Sequence, residues 1–137
     1  MADNLPNFIE NALLEHVTGR TALPAPTNTY LALFTVAPTD STFGTEVEIG
    51  VGGYARRQLS WGAAAEGSIS TSSSTRFPAA GNATTNWGTV VALGVMDSST
   101  GSELSNLWWY GNLSTVLQFE TGSNYTVQSG GLTLTLS

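Results

Sequence analysis

Near the start of the chain the hydrophobic residues Leu5, Phe8, Ile9, Ala12, Leu13 and Val17 recur at three- and four-residue spacing. That spacing places them on one stripe of an α-helix. It predicts an amphipathic helix from about Leu5 to Val17, with Asn4 as N-cap, Pro6 in the first turn and Gly19 as the stop. The connector TALPAPTNT follows, and its prolines cannot continue a helix. Beyond it the period changes to that of strands. YLALFTV is apolar on both faces and predicts a central strand. APTDSTFGTEVEIGVGG is polar and glycine-rich and is expected to project as a loop. YARRQLSWG predicts a strand from its β-formers, and GSISTSSSTRFP one or two short strands around a serine-rich turn. WGTVVALGVMD carries the strongest strand pattern and ends in the turn DSSTGS. NLWWYGNLS is its expected hairpin partner, two turns follow within VLQFETGSNYTVQSGG, and LTLTLS alternates strictly, with Leu132, Leu134 and Leu136 expected inward.

The pattern amounts to about seven to nine short strands at about 8–12-residue spacing. It predicts an all-β fold: an antiparallel β-sandwich or jelly-roll-like barrel with one N-terminal amphipathic helix. No repeat and no linker divides the chain of 137 residues. One domain is therefore expected over 1–137, with the helix in 1–20 and the sandwich in 21–137.

Charge narrows the function classes. Charged residues make up 10% of the chain, against about 25% in typical globular proteins. Lysine is absent, the basic residues are Arg20, Arg56, Arg57 and Arg76, and the net charge is −6. A nucleic-acid ligand is not expected, because neutralising phosphates requires clustered Lys and Arg. No apolar run reaches the length of a membrane span. The N-terminal stretch lacks a basic n-region and carries Asp3 and Glu10, which predicts folding in a cytoplasm. There is no cysteine, so disulfides and thiolate chemistry are excluded.

Candidate chemistry is sparse. His16 is the only histidine and reads as a residue of the last helical turn near solvent. A carboxylate pair for glycoside hydrolysis could be drawn from Glu46, Glu48, Asp97 and Glu103. The Glu46/Glu48 segment reads more readily as a solvated loop, without the spacing of a calcium loop. No catalytic residue, metal site or cofactor is therefore expected. Arg56 and Arg57 are adjacent on a strand and should point to opposite faces, one outward and the other pairing with an acid at an interface. Trp108, Trp109 and Tyr110 stand in a row. Simple alternation puts Trp108 and Tyr110 on one face, with Leu107 and Trp109 on the other. Neither face is polar, so the three aromatics are expected in core or interface packing rather than as a sugar platform.

The ordered set NFIENALLEHVTGRTALPAPTNTYLALFT, GTEV, GGYARRQLSWGAA, GSISTSSSTRFPAA, NWGTVVALGVMDSSTGSELSNLWWYGNL and SGGLTLTLS resembles a family of small structural proteins of tailed bacteriophages, often labelled tail fibre protein. The stretch EIGV between GTEV and GGY is longer than the usual pattern. The resemblance implies a non-enzymatic virion protein made in the bacterial host cytoplasm. A small domain without a fibrous shaft is expected to be a capsid decoration or cement protein, binding the major capsid protein as a homo-oligomer. The alternative is a tail or tail-fibre component contacting tail proteins or a host surface glycan. Phe8, Ile9 and Leu13 on the helix, with Arg56 or Arg57, are the expected interface residues. Two readings stand for the helix: it supplies that interface, or it plugs its own sandwich.

Overall fold

The structure, a computed structural model, describes residues 5–136. Helix α1 (Asn7–Val17) precedes nine strands: β1 (Tyr30–Val36), β2 (Thr45–Glu46), β3 (Arg57–Gln58), β4 (Ser68–Ser70), β5 (Thr75–Phe77), β6 (Gly88–Met96), β7 (Leu107–Phe119), β8 (Tyr125–Val127) and β9 (Thr133–Thr135). A short 3-10 turn, Leu104–Asn106, leads into β7. The main sheet runs β2-β1-β6-β7, and β3 shares the β2 side of β1. All its pairings are antiparallel, including Leu33 opposite Leu93 and Gly94 opposite Tyr110. Two small ribbons, β4–β9 and β5–β8, make the second layer. The result is an open sandwich and not a closed barrel.

β1 is central, as its doubly apolar pattern predicts. Leu31 and Leu33 belong to the larger core, with Tyr54, Phe77, Trp87, Val127 and Phe119. Ala32 and Phe34 face the other way, into a second cluster with Ala92, Met96 and Leu107. That face is covered by Ala37, Phe43 and Leu104 rather than by another sheet. Aromatic rings bind the main core. Trp87 stacks on Phe119 at 4.7 Å and meets Tyr54 edge-on at 5.3 Å. Both geometries suit the ring quadrupoles.

Helix α1 begins with Pro6 at its N-cap, and the expected cap Asn4 lies outside the described residues. Its end fits the expected stop. Gly19 has φ +76°, its N–H donates to the His16 carbonyl, and the Arg20 N–H donates to the Glu15 carbonyl. This is a Schellman closure, which needs a left-handed residue where glycine carries no Cβ penalty.

Several local expectations are corrected. The 37–53 segment does not project: Glu46 lies in β2, Val47 is buried and the Gly50 N–H bonds to the Tyr54 carbonyl. The 54–62 stretch forms only the two-residue strand β3. At the C-terminal end Leu132 and Leu134 pack against the core, but Leu136 is half exposed. β9 stops at Thr135, and although the Leu136 N–H still donates to the Gly67 carbonyl, its side chain stays half in solvent.

Gly94 shows how tightly the second cluster is packed. A Cβ there would lie 2.6 Å from Phe34 Cε1 and 2.9 Å from Leu107 Cδ1. Gly94→Ala should destabilise by about 1–3 kcal/mol through overpacking. The expected result is a lower urea midpoint with an unchanged slope. An unchanged midpoint would show that Phe34 is free to move aside.

Candidate functional site

Charge inside the molecule is concentrated at one place. Tyr54 and Arg56 lie two residues apart, so an extended backbone sends both side chains the same way. There they meet Glu46 of β2. Arg56 Nη2 is 2.7 Å from Glu46 Oε1, and Arg56 Nε donates to Oε2 at 2.9 Å. The Tyr54 hydroxyl donates to the same Oε2 at 2.6 Å and accepts from the Leu33 N–H. Arg56 Nη1 donates to the Ser98 carbonyl at 2.8 Å. The Arg56 side chain has no solvent exposure and that of Glu46 only 6%. A bidentate guanidinium–carboxylate pair with further donors is the arrangement that offsets the cost of burying two charges. Burial, followed by the nearby Glu46 carboxylate, pushes the Tyr54 hydroxyl well above the ordinary tyrosine range.

This changes the reading of the expected site residues. Arg56 pairs with an acid, as anticipated, but inside its own chain. No part of its guanidinium is left for an outside carboxylate. Arg57 is half-buried and donates to the Arg76 carbonyl at 3.1 Å. Glu46 is not a solvated loop acid, whereas Glu48 is exposed. Asp97 accepts from Asn106 at 2.9 Å and from Trp108 Nε1 at 3.1 Å. Glu103 stands at the N-cap of the 3-10 turn. Among the described residues no three acid or histidine side chains gather as a metal would require. His16 is exposed, and its Nδ1 accepts the Leu23 N–H at 3.0 Å, which ties the helix end to the connector.

The helix divides between its two readings. Leu5, Pro6 and Ile9 are buried in their own chain, and the Asn7 N–H donates to the Asp40 carbonyl. Ile9, at 2% exposure, is sealed off from any partner. Phe8 and Leu13 are half-buried, while Leu14 and Val17 are the open apolar residues of the helix, at 62% and 73%.

The aromatic run also departs from simple alternation. Val95 pairs with Trp109 and Met96 with Leu107, so Trp108 is an extra residue in a β-bulge. A bulge shifts the facing of everything beyond it. Leu107 therefore joins Tyr110 in the second cluster, while Trp109 packs on the main core. The Tyr110 hydroxyl bonds to Asp40. All three aromatics are half-buried, and the polar ends of Trp108 and Tyr110 are held by carboxylates.

A second irregularity was not foreseen. Val90 pairs with Leu117 and Ala92 with Asn112, so β7 carries extra residues between 112 and 117. They project at the sheet edge beside an open cleft of about 480 Å³ lined by Trp109, Asn112, Ser114 and Tyr125. Tyr125 arrives from β8 and Ser114 from the bulge, and neither position has a sequence signature.

These features define a class: a small open β-sandwich with an attached amphipathic helix, whose buried ionic and aromatic groups serve its own packing. The family model described as "Podophage GP4 fiber I protein gp80" matches residues 4–135. The chain belongs to that family, and so to the fibre-type structural proteins of phage virions. Among curated proteins none matches.

Two predictions follow from the buried pair. Arg56→Met leaves the Glu46 carboxylate buried without its cation, at a cost of about 3–5 kcal/mol. Adding Glu46→Leu should recover much of that loss in equilibrium denaturation. No recovery would mean that the pair stabilises beyond what apolar packing supplies. The second prediction concerns alkali. The folded state holds the Tyr54 proton more tightly than the unfolded state does. Its stabilisation is therefore complete below the ordinary tyrosine range, near about 10. It falls as pH rises through and above that value. Tyr54→Phe should be less stable at pH 7 but show a shallower loss of stability between about pH 9 and 11. Parallel curves for the two proteins would refute this assignment.

Proposed function

We propose that the protein is a fibre component of the phage tail that contacts the host surface by binding and not by catalysis. The observation that carries this reading is the family match across nearly the whole chain. It favours the tail-fibre alternative over the capsid-decoration role expected from the compact domain alone. Three of the four candidate acids support the non-catalytic half of the proposal. Glu46 is locked to Arg56 and Tyr54, Asp97 holds Asn106 and Trp108, and Glu103 begins a 3-10 turn. A glycosidase needs two carboxyl groups flanking the scissile bond, one as acid and one as base or nucleophile. Acids already engaged in internal bonds are poorly placed for either role.

Immunogold labelling of intact virions with antibody to this chain should mark the tail and leave tailless heads unlabelled. Saturable binding to tailless expanded heads, with increased heat resistance of the shell, would instead establish the decoration role. Incubation of the purified protein with host surface polysaccharide should release no oligosaccharide. Turnover that disappears in Glu48→Gln would overturn the non-catalytic reading.

A further inference from the structure

β7 ends the main sheet, with β6 on one side and no strand on the other. The pairing fixes which of its backbone groups are open. The Leu33 carbonyl accepts from the Val47 N–H and the Leu33 N–H donates to Tyr54, so the Leu33 backbone is turned from β6. Leu93, opposite Leu33, therefore turns its backbone to β7. Gly111, opposite Leu93, turns back toward β6, and Asn112 turns outward. Leu113, Leu117 and Phe119 all pack on the main core, so the two-residue period runs unbroken through the bulge. Asn112, Ser114, Val116 and Gln118 thus present their N–H and C=O groups at the open edge, and their side chains lie on the sheet face away from the main core. Among the described residues, nothing outside the β6 ladder bonds to the backbone of 111–118. Of the devices that blunt an edge strand, β7 has only its bulge. It is 13 residues long, and Leu107–Phe119 holds no proline and no ionised side chain.

We propose that this edge is a self-association surface, where β7 of a second copy pairs antiparallel about a twofold axis at Thr115. This goes beyond the fibre reading and does not rest on it. The stretch 112–118, NLSTVLQ, carries nearly the same pattern in both directions. With Thr115 opposite itself, Leu113 meets the partner's Leu117, Asn112 meets the partner's Gln118, and Ser114 meets the partner's Val116. Leucine is set against leucine on the core side of the sheet, and amide against amide on the other. Moving the axis by one residue loses both matches. The four outward residues fall in hydrogen-bonded pairs, and since each such pair exchanges two bonds, about eight join the copies. Val116, at 48% exposure, and the half-buried Leu113 and Leu117 lose water in the contact. Charge favours the same place. Two chains of net charge −6 repel each other, and this edge brings no acid to the meeting. One edge pairing with itself is a closed, isologous contact, so assembly stops at a dimer.

The chain has no cysteine, so an introduced one reports its position without background. In Thr115→Cys the two thiols face each other at a pair without hydrogen bonds, with Cα atoms about 4.5 Å apart. A disulfide spans about 4.4–6.8 Å. Mild oxidation of the full chain should therefore give a covalent dimer. Val36→Cys, at an open side chain of β1, should give none. Thr115→Lys and Thr115→Glu should each weaken dimerisation about fivefold in sedimentation equilibrium, because each sets like charges face to face. Mixed in equal amounts, the two should pair at least as tightly as the parent. Thr115 is exposed, so the circular dichroism of every variant should match that of the parent, and recovery on mixing separates lost pairing from lost folding. The proposal is overturned if the parent sediments as a monomer or a trimer. It is equally overturned if Val36→Cys cross-links as readily as Thr115→Cys, or if the charge mixture pairs no better than its parts.

Discussion

A single ion pair decides how the rest of this chain can lie. Arg56 and Glu46 are both withdrawn from water, and each is satisfied only if four separate stretches arrive together. β2 brings the carboxylate, the 54–56 segment brings the guanidinium and the Tyr54 hydroxyl, β1 supplies the Leu33 N–H, and the turn after β6 supplies the Ser98 carbonyl. Desolvating two charges removes most of the net gain from their attraction. The value of the pair therefore lies in what it forbids. A slip of one residue in β2 or β3 would turn Glu46 or Arg56 to the opposite face and leave the other buried alone. Strands of two residues have little ladder of their own to set register, and here the ion pair sets it.

The consequences spread outward from that knot. With Tyr54 fixed, its ring meets Trp87 edge-on, and Trp87 in turn stacks on Phe119 at the far end of β7. Phe119 and Val127 share the main core near one end of β7, and at the other end α1 borders a space that Trp108 and Trp109 also line. Between them the strand is free to bulge. The open cleft sits beside that bulge.

Much of the fold was legible in the sequence because its signals are local. The 3.6-residue period of α1, the doubly apolar β1, the valine-rich β6 and the glycine stop at Gly19 each depend on a few neighbouring residues, and each holds. What failed depends on distant partners. A polar segment with Glu46 and Glu48 reads as solvated until Arg56 folds over it. The pairing left one trace, the shared facing of Tyr54 and Arg56, but the acid they meet is a strand away. Alternation through Leu107–Tyr110 fails because the bulge at Trp108 is set by pairing with β6 and by the Asp97 bond to its indole. The cleft was the least legible feature. It lies where β7, its bulge and β8 meet, and no local pattern marks that meeting.

The placement of charge bears on how such a protein can recognise anything. Its net charge is −6, and its arginines are largely committed. Arg56 is buried, Arg57 and Arg76 donate to backbone carbonyls, and Arg20 bridges to Glu15 on the surface. No cluster of free cations remains among the described residues to draw an anionic surface from a distance, and a net negative chain is repelled by one. Such repulsion is screened within a Debye length of about 8–10 Å at physiological salt. Attraction must then come from groups acting at contact: aromatic faces, amides and hydroxyls. The cleft beside β7 has no ionised side chain in its lining, and Trp109 and Tyr125 bring aromatic surface to it.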